Sequence, residues 1–403
     1  MKLKIFNVIG TPSTGGIQTH ILDLSIYDKK YEISRSVVCI HGMSKKESQK
    51  FISKGINCLP CMIMPKYRGW RPHRFWKVLR NIFKIFFIFK YYKLFKIHQP
   101  DIIVCENSSY LNAQLLVARI LKIRFIWYMH NPRQLVDVNK LLLRLFLKNY
   151  LNNNLFIMAS SKIVLEKNLN SFKKIIGKKW KKYPIMPSLT CIEKILTENR
   201  YRNFNNNDTI NIGSIGRLTW EKNFELLIRV FARLRKIIDK KLFLYIAGDG
   251  PTKKELTDLI KKLDIDNFVI LLGNIDRLEI RSLLSKINIY VQSSKSEGSP
   301  NTIKEAMAAA LPVVTTDVGG ISEMINHEKT GLLVGSENVN DLTSSLVRLI
   351  NEKIDYRQSI GISAQKHAKN NFSIKSYAEK HAKIYQNLLN MFALYILNEF
   401  SFF

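Results

Sequence analysis

Short apolar runs and helix-period stretches alternate along most of the chain. LKIFNVIG (3–10), SRSVVCI (34–40), DIIVCEN (101–107), RFIWYMH (124–130) and LFIMASS (155–161) are nearly continuous apolar runs of strand length. Between them, IQTHILDLS and LNAQLLVARIL space their apolar residues at three and four, as helices do. A long helix is expected over 72–97, stopping at Gln99-Pro100. Runs without polar alternation, separated by helices, predict parallel strands covered on both faces.

The alternation breaks over about 178–209, where KKWKKYPIMPS is basic and YRNFNNNDT is polar. It then restarts. INIGSIG (210–216), LFLYIAG (242–248), FVILLG, INIYVQSS (287–294), PVVTT and TGLLV read as strands. FELLIRVFARLRKII, KKELTDLIKKL, LEIRSLLSKI and NTIKEAMAAA read as helices. The predicted fold class is α/β: two Rossmann-like domains facing across a cleft, at 1–190 and 205–375, followed by a helical tail at 376–403 that crosses back to the first. A chain of 403 residues, 46% hydrophobic, is long enough for two cores of this kind.

Charge adds a partner class. Lys and Arg number 63 against 32 Asp and Glu, a formal charge of +31, which suits anionic partners or substrates. Five cysteines, an odd number set among apolar residues, suit free thiols in a reducing compartment; Cys58-x-x-Cys61 has no second pair to complete a zinc site. No secretory signal is recognised and no apolar run reaches the roughly 18 residues of a membrane span, so a cytoplasmic location is expected, with contact to a membrane face open to it. There is no P-loop and no G-x-G-x-x-G dinucleotide fingerprint. Asp264-Ile265-Asp266 falls at the amino end of a strand and reads as a turn, so no metal ligand is assigned.

In open parallel sheets ligands bind beyond the carboxyl ends of the strands. The loops there hold the candidate chemistry. TPSTGGIQTH brings Gly15 and Gly16 to a helix amino end, which favours anions. His130-Asn131-Pro132 ends a strand with an imidazole. GRLTWEKN carries Arg217 and Lys222, a pair suited to a diphosphate. SEGSPNTIKE carries Glu297, the turn Gly298-Ser299-Pro300, the helix start Asn301-Thr302, and Glu305. Taken alone, that last stretch fits a capped helix with solvated acids as well as it fits a wall where carboxylates accept hydrogen bonds from sugar hydroxyls.

EGSPNTIKEAMAAALPVVTTDVGGISEMI resembles the E-x7-E motif of the retaining GT-B glycosyltransferases of family 4. GRLTWEKN is similar to that family's Arg/Lys motif and IAGDGP to its strand-end motif. The GG loop and the YMHN strand end match more loosely. The resemblance implies a hexosyltransferase using a nucleotide-diphosphate sugar, with no cofactor and no metal. Glu305 would bind the ribose, and Glu297 with Gly298, Ser299, Pro300, Asn301 and Thr302 would hold the donor sugar. Arg217 and Lys222 would neutralise the leaving diphosphate, Gly16 would approach the phosphates, and His130 would lie near donor sugar and acceptor. It also implies front-side attack, with the leaving phosphate taking the acceptor proton. The acceptor would be a glycan, lipid-linked, in bacterial surface polysaccharide synthesis (lipopolysaccharide, O-antigen, capsule or exopolysaccharide). Ala310 stands where such proteins often have glycine, and YPIMPSLT lacks an Asn-Gly-Val-Asp turn common at the first domain's end.

The stretch 72–97 mixes aromatic residues with Lys and Arg and would suit an anionic membrane surface, although its charges do not form one stripe. Two other readings stay in view. An epimerase of the same fold would turn over nucleotide sugar without an acceptor. A nucleic-acid-binding protein would use the +31 charge, but no nucleic-acid module is present and it leaves Glu297 and Glu305 unexplained, so no nucleic-acid partner is expected.

Overall fold

The computed structural model describes residues 2–10, 16–40, 43–60, 87–106, 111–130, 155–168, 209–352 and 354–400, with side chains of the last helix only up to 390. The turn 11–15, the 72–86 part of the basic stretch, Asn131-Pro132, Cys61, Cys191 and the connection at 178–208 lie outside these residues. The chain divides into two compact units, Met1–Ser188 with Lys375–Phe403, and Leu189–Ile374.

The first unit holds a six-stranded parallel sheet of β1 (Leu3–Ile9), β2 (Ile33–Cys39), β3 (Asn57–Pro60), β4 (Ile102–Cys105), β5 (Arg124–Met129) and β6 (Leu155–Ala159). Its order is β3-β2-β1-β4-β5-β6. The second unit repeats it with β7 (Thr209–Ile215), β8 (Lys241–Ala247), β9 (Val269–Gly273), β10 (Ile289–Gln292), β11 (Val313–Thr316) and β12 (Leu332–Val334), ordered β12-β11-β10-β7-β8-β9. Counted within each unit, both orders are 3-2-1-4-5-6, the doubly wound arrangement. Its switch point lies between strands one and four: β1 and β4 in one unit, β7 and β10 in the other.

The apolar runs became strands because both faces are covered. All four residues of β4, β10 and β11 are buried, as are all five of β6. Side chains of this kind contribute roughly 1.5–3 kcal/mol each when fully withdrawn from water. The described part of the basic stretch is a helix at 87–98. Phe87, Tyr91 and Phe95, spaced by four, enter the core of the first unit, while Phe89, Lys90, Lys93, Lys96 and Ile97 are exposed. Among the described residues no helix is long and apolar enough to cross a membrane.

The last helix, Ile374–Phe400, carries the chain back into the first unit. Tyr377, Ala378, Ala382, Tyr385 and Leu388 are buried there, and Arg124 at the start of β5 donates through Nε to the Leu388 carbonyl at 3.0 Å. Asp264, of the D-x-D, has a left-handed backbone (φ 52) and belongs to the turn leading into β9.

Candidate functional site

In the second unit the switch point brings two loops together. After β7 the chain passes Gly216 and Arg217 and makes a single 3-10 turn over Trp220–Lys222. Asn223, left-handed at φ 49 and ψ 46, then redirects it into the helix Phe224–Ile237. After β10, Ser293 Oγ donates to the Asn223 carbonyl at 2.9 Å, and the Lys295 amide donates to the Glu221 carbonyl at 2.8 Å. These bonds tie the Lys222 loop to the Glu297 loop.

Glu297 is the centre of the arrangement. Its Oε1 accepts from Lys222 Nζ at 2.5 Å, Gln292 Nε2 at 2.5 Å and Ser294 Oγ at 2.6 Å. The Glu297 carboxylate only accepts and so holds the Gln292 amide with its NH2 inward, leaving Gln292 Oε1 to accept from Thr302 Oγ1 at 3.1 Å and Tyr290 OH at 3.3 Å. Ser294 is held in turn by Thr316 Oγ1, which donates to its carbonyl at 2.6 Å. Gly319, at φ 63, lets a second loop close over Glu297, and the Gly320 amide donates to the Gly298 carbonyl at 3.0 Å.

The helix Asn301–Ala308 begins after Pro300, which supplies no side-chain cap to its first turn. A helix amino end of this kind attracts phosphate or carboxylate oxygens. Glu305 lies one turn inside and is half-buried. Beside it Lys304 is fully buried, with Nζ 3.5 Å from both the Ser299 carbonyl and Asn301 Oδ1. Burial pulls its pKa down to about 7, against the opposing pull of Glu305. Arg217 is the outlier: its side chain is mostly exposed and meets Glu221 at 3.7 Å.

The first unit has its own cluster at the equivalent switch point. His130 follows β5, and its Nε2 stands 2.6 Å from Oε2 of Glu106, the residue after β4. Glu106 Oε1 accepts from Asn7 Nδ2 at 2.7 Å. Asn7 Oδ1 accepts from Arg35 Nη1 at 3.0 Å, and Arg35 grips Asp28 with two bonds of 2.8 Å. Burial opposes the Arg35 charge, but Asp28 outweighs it and raises the guanidinium pKa above its ordinary value. Around this line Tyr377 OH meets Tyr128 OH at 2.8 Å and His20 Nε2 at 3.3 Å. Gly16 is the first residue of the helix Gly16–Ser25, which carries His20.

The structure thus joins Lys222, Glu297, Gln292 and Ser294 directly. It sets Gly298, Ser299, Pro300, Asn301, Thr302 and Glu305 on the adjoining turn and helix, and leaves Arg217 extended. Lys222, expected to face a diphosphate, bonds Glu297. Gln292, Ser294, Glu106, Asn7 and Arg35 escaped the sequence reading. Asn7, Glu106 and Gln292 carry a common signal, a polar residue set inside or at the end of an apolar run.

Residues 197–367 match the family model described as glycosyl transferases group 1. Two uncharacterized glycosyltransferases of Methanocaldococcus jannaschii are 30% and 31% identical over 177 and 261 residues, 44% and 60% of this chain. The chain spans only 45% and 60% of their lengths. A Campylobacter jejuni N-acetylgalactosamine-N,N'-diacetylbacillosaminyl-diphospho-undecaprenol 4-alpha-N-acetylgalactosaminyltransferase is 36% identical over 140 residues, 34% of this chain and 37% of that protein. Among solved structures, Anabaena HepE in complex with UDP and glucose superposes with a TM-score of 0.71 at 18% identity, covering 95% of this chain and 99% of that one. The fold is GT-B: two parallel α/β sheets, each doubly wound.

Proposed function

We propose that this chain is a retaining glycosyltransferase of family 4 that moves a hexose from a nucleotide-diphosphate sugar to a glycan acceptor. The observation that carries the reading is the buried Glu297 carboxylate held by Lys222, Gln292 and Ser294 at the β7–β10 switch point. It lies within the segment that matches the group 1 model.

The chemistry follows from the charges. Breaking the anomeric C–O bond places negative charge on the departing diphosphate. Fixed cations and a helix amino end at that position stabilise the transition state more than the ground state. Lys222 and Arg217 supply the cations, and the start of Asn301–Ala308 supplies backbone N–H groups. Glu305 serves the ribose, Glu297 the donor sugar, Gly16 the phosphates and His130 the transferred sugar. With these cations in place the reaction is proposed to need no metal ion, which transfer in the presence of a chelator tests directly.

The C. jejuni relative acts on a diphospho-undecaprenol-linked glycan, which supports a lipid-linked acceptor and a role in surface polysaccharide synthesis. The exposed Lys90, Lys93 and Lys96 with Phe89 and Ile97 suit docking on the anionic inner face of the cytoplasmic membrane. HepE, crystallised with UDP and glucose, makes UDP-sugars the first donors to test.

The test is transfer from UDP-, GDP- and ADP-sugars by wild type, Glu297→Ala and Lys222→Ala. Both variants are expected to remain folded and to lose transfer; near-wild-type rates in both would sink the assignment. Retention is read from the anomeric proton coupling of the product. Donor turnover without any acceptor would instead favour an epimerase.

A further inference from the structure

Glu106 is 2% exposed, directly follows the fourth strand of the first sheet, and has no part in the proposed function. Buried carboxylates need partners, and this one has a graded set. Asp28 takes Arg35 in a two-bond fork, which fixes the plane of the guanidinium. The third donor, Nη1, then points at Asn7 Oδ1. A guanidinium only donates, so the Asn7 amide is locked with its oxygen toward Arg35 and its NH2 toward Glu106. That NH2 claims Glu106 Oε1 at 2.7 Å. What remains is Oε2, at 2.6 Å from His130 Nε2.

A carboxylate accepts and does not donate, so the proton in that contact belongs to the imidazole. Which ring nitrogen of a histidine is protonated is set by the partner of one of them. We infer that Glu106 is a positioning residue that holds the proton of His130 on Nε2 and fixes the plane of its ring, through an orientation relayed from Asp28 by Arg35 and Asn7. A His130 held in this way does not accept a proton at Nε2. The second unit uses a related device: Glu297, beyond the fourth strand of that sheet, is held by Lys222 from the loop after the first. The importance of His130 to transfer rests on the proposed function; the assignment of its proton does not.

The same chain of locks dictates what Glu106→Gln would do. The Asn7 NH2 still requires an acceptor, so the new amide must turn its oxygen to Asn7 and its NH2 to His130 Nε2. That nitrogen must then be bare, and the proton moves to Nδ1. The shape at residue 106 barely changes while the tautomer inverts. Exchanging an orienting carboxylate for its amide at a catalytic histidine lowers kcat by up to about 10⁴-fold elsewhere, and roughly 10²-fold or more is expected here.

The experiment combines a spectroscopic and a kinetic readout. Histidine-selective 15N labelling with long-range 1H–15N correlation reports the tautomer of His130, its signal assigned by loss in His130→Asn. Wild type is expected to carry the proton on Nε2 and Glu106→Gln on Nδ1. The variant's kcat should fall at least about 100-fold with donor KM within threefold, at a melting temperature close to wild type. A bare Nε2 in wild type overturns the inference, and so does an unchanged tautomer in Glu106→Gln; an inverted tautomer with unchanged kcat overturns the importance of His130 to transfer and leaves the assignment of its proton standing. If the tautomer inverts but wild type transfers no sugar at all, the transferase reading fails and the assignment of Glu106 stands.

Discussion

Gly319 separates two ways in which a glycine can matter. It sits at φ 63, and a Cβ built there would stand 1.7 Å from the Glu297 carbonyl oxygen and 2.7 Å from its carbon. Real Cβ contacts under 3.0 Å do not occur, and the obstacle is backbone, which cannot rotate aside. In Gly319→Ala one of the two loops must therefore move by more than 1 Å. The Glu297 carboxylate is held by contacts of 2.5, 2.5 and 2.6 Å, which such a shift carries beyond hydrogen-bonding range. Left-handed backbone costs alanine about 1–2 kcal/mol, and the weakened charged hydrogen bonds add about 1.5–3 kcal/mol. Misplacing a reacting group by about 1 Å lowers turnover by roughly 100-fold. Gly273 is the control. It is also left-handed, at φ 70, but a Cβ there meets nothing within 4 Å. Gly273→Ala should cost only the backbone term, about 2–8 °C in melting temperature, and leave transfer untouched. Thermal melting and donor-dependent transfer are measured on both. If Gly319→Ala keeps kcat/KM within threefold of Gly273→Ala, the claim that Gly319 positions Glu297 is wrong.

Other outcomes follow from the same structure. Burial, reinforced by Arg35, lowers the His381 pKa to about 3. The folded state therefore holds His381 neutral, and its stabilisation is complete above the ordinary value of 6.5 and lost as pH falls from there toward 3. One proton limits that slope to about 1.4 kcal/mol per pH unit, and urea unfolding from pH 7 to 4 should show a shallower acid limb in His381→Phe. Tyr377→Phe removes the hydrogen bond between the Tyr377 and Tyr128 hydroxyls and should cost about 0.5–1.5 kcal/mol in the same assay. Ala310 is left-handed at φ 56, just past the end of Asn301–Ala308, with Leu311 N bonding back to the Ala306 carbonyl at 3.1 Å. Ala310→Gly should raise stability by about 0.5–1 kcal/mol, seen as a small rise in melting temperature.

Much of this architecture was legible in the chain because a strand buried on both faces must be apolar throughout. LFIMA and RFIWYM read as strands for that reason, and the two rounds of alternation gave two sheets. β3, NCLP, was missed: four residues with one polar end carry too little pattern. Strand order was also out of reach, since pairing is tertiary, and without it the β4 loop did not stand out as a switch-point loop. Glu106 was lost with it. Glu297 and Lys222 were found by motif, but their mutual bond was not, because 75 residues separate them and only the β7–β10 pairing joins their loops. The burial of Lys304 was not legible at all. A lysine in a helix suggests a solvated face, whereas the neighbouring Ile303, Ala306 and Met307 take it into the interior.

The return of Ile374–Phe400 to the first unit has a consequence for biosynthesis. The first unit is split in sequence, and Leu189–Ile374 is made between its two parts. At roughly 5–20 residues per second, Tyr377, Tyr385 and Leu388 reach the ribosome exit about 10–40 s after Ser188. During that interval Tyr128 lacks its hydroxyl partner and Arg124 its carbonyl, while the second unit, continuous in sequence, is free to fold. Ribosome-bound chains halted once Ile374 has left the exit should therefore be cut by protease in the first unit and resist it in the second. Emergence of Lys375 to Leu388 would then complete the older half of the molecule last.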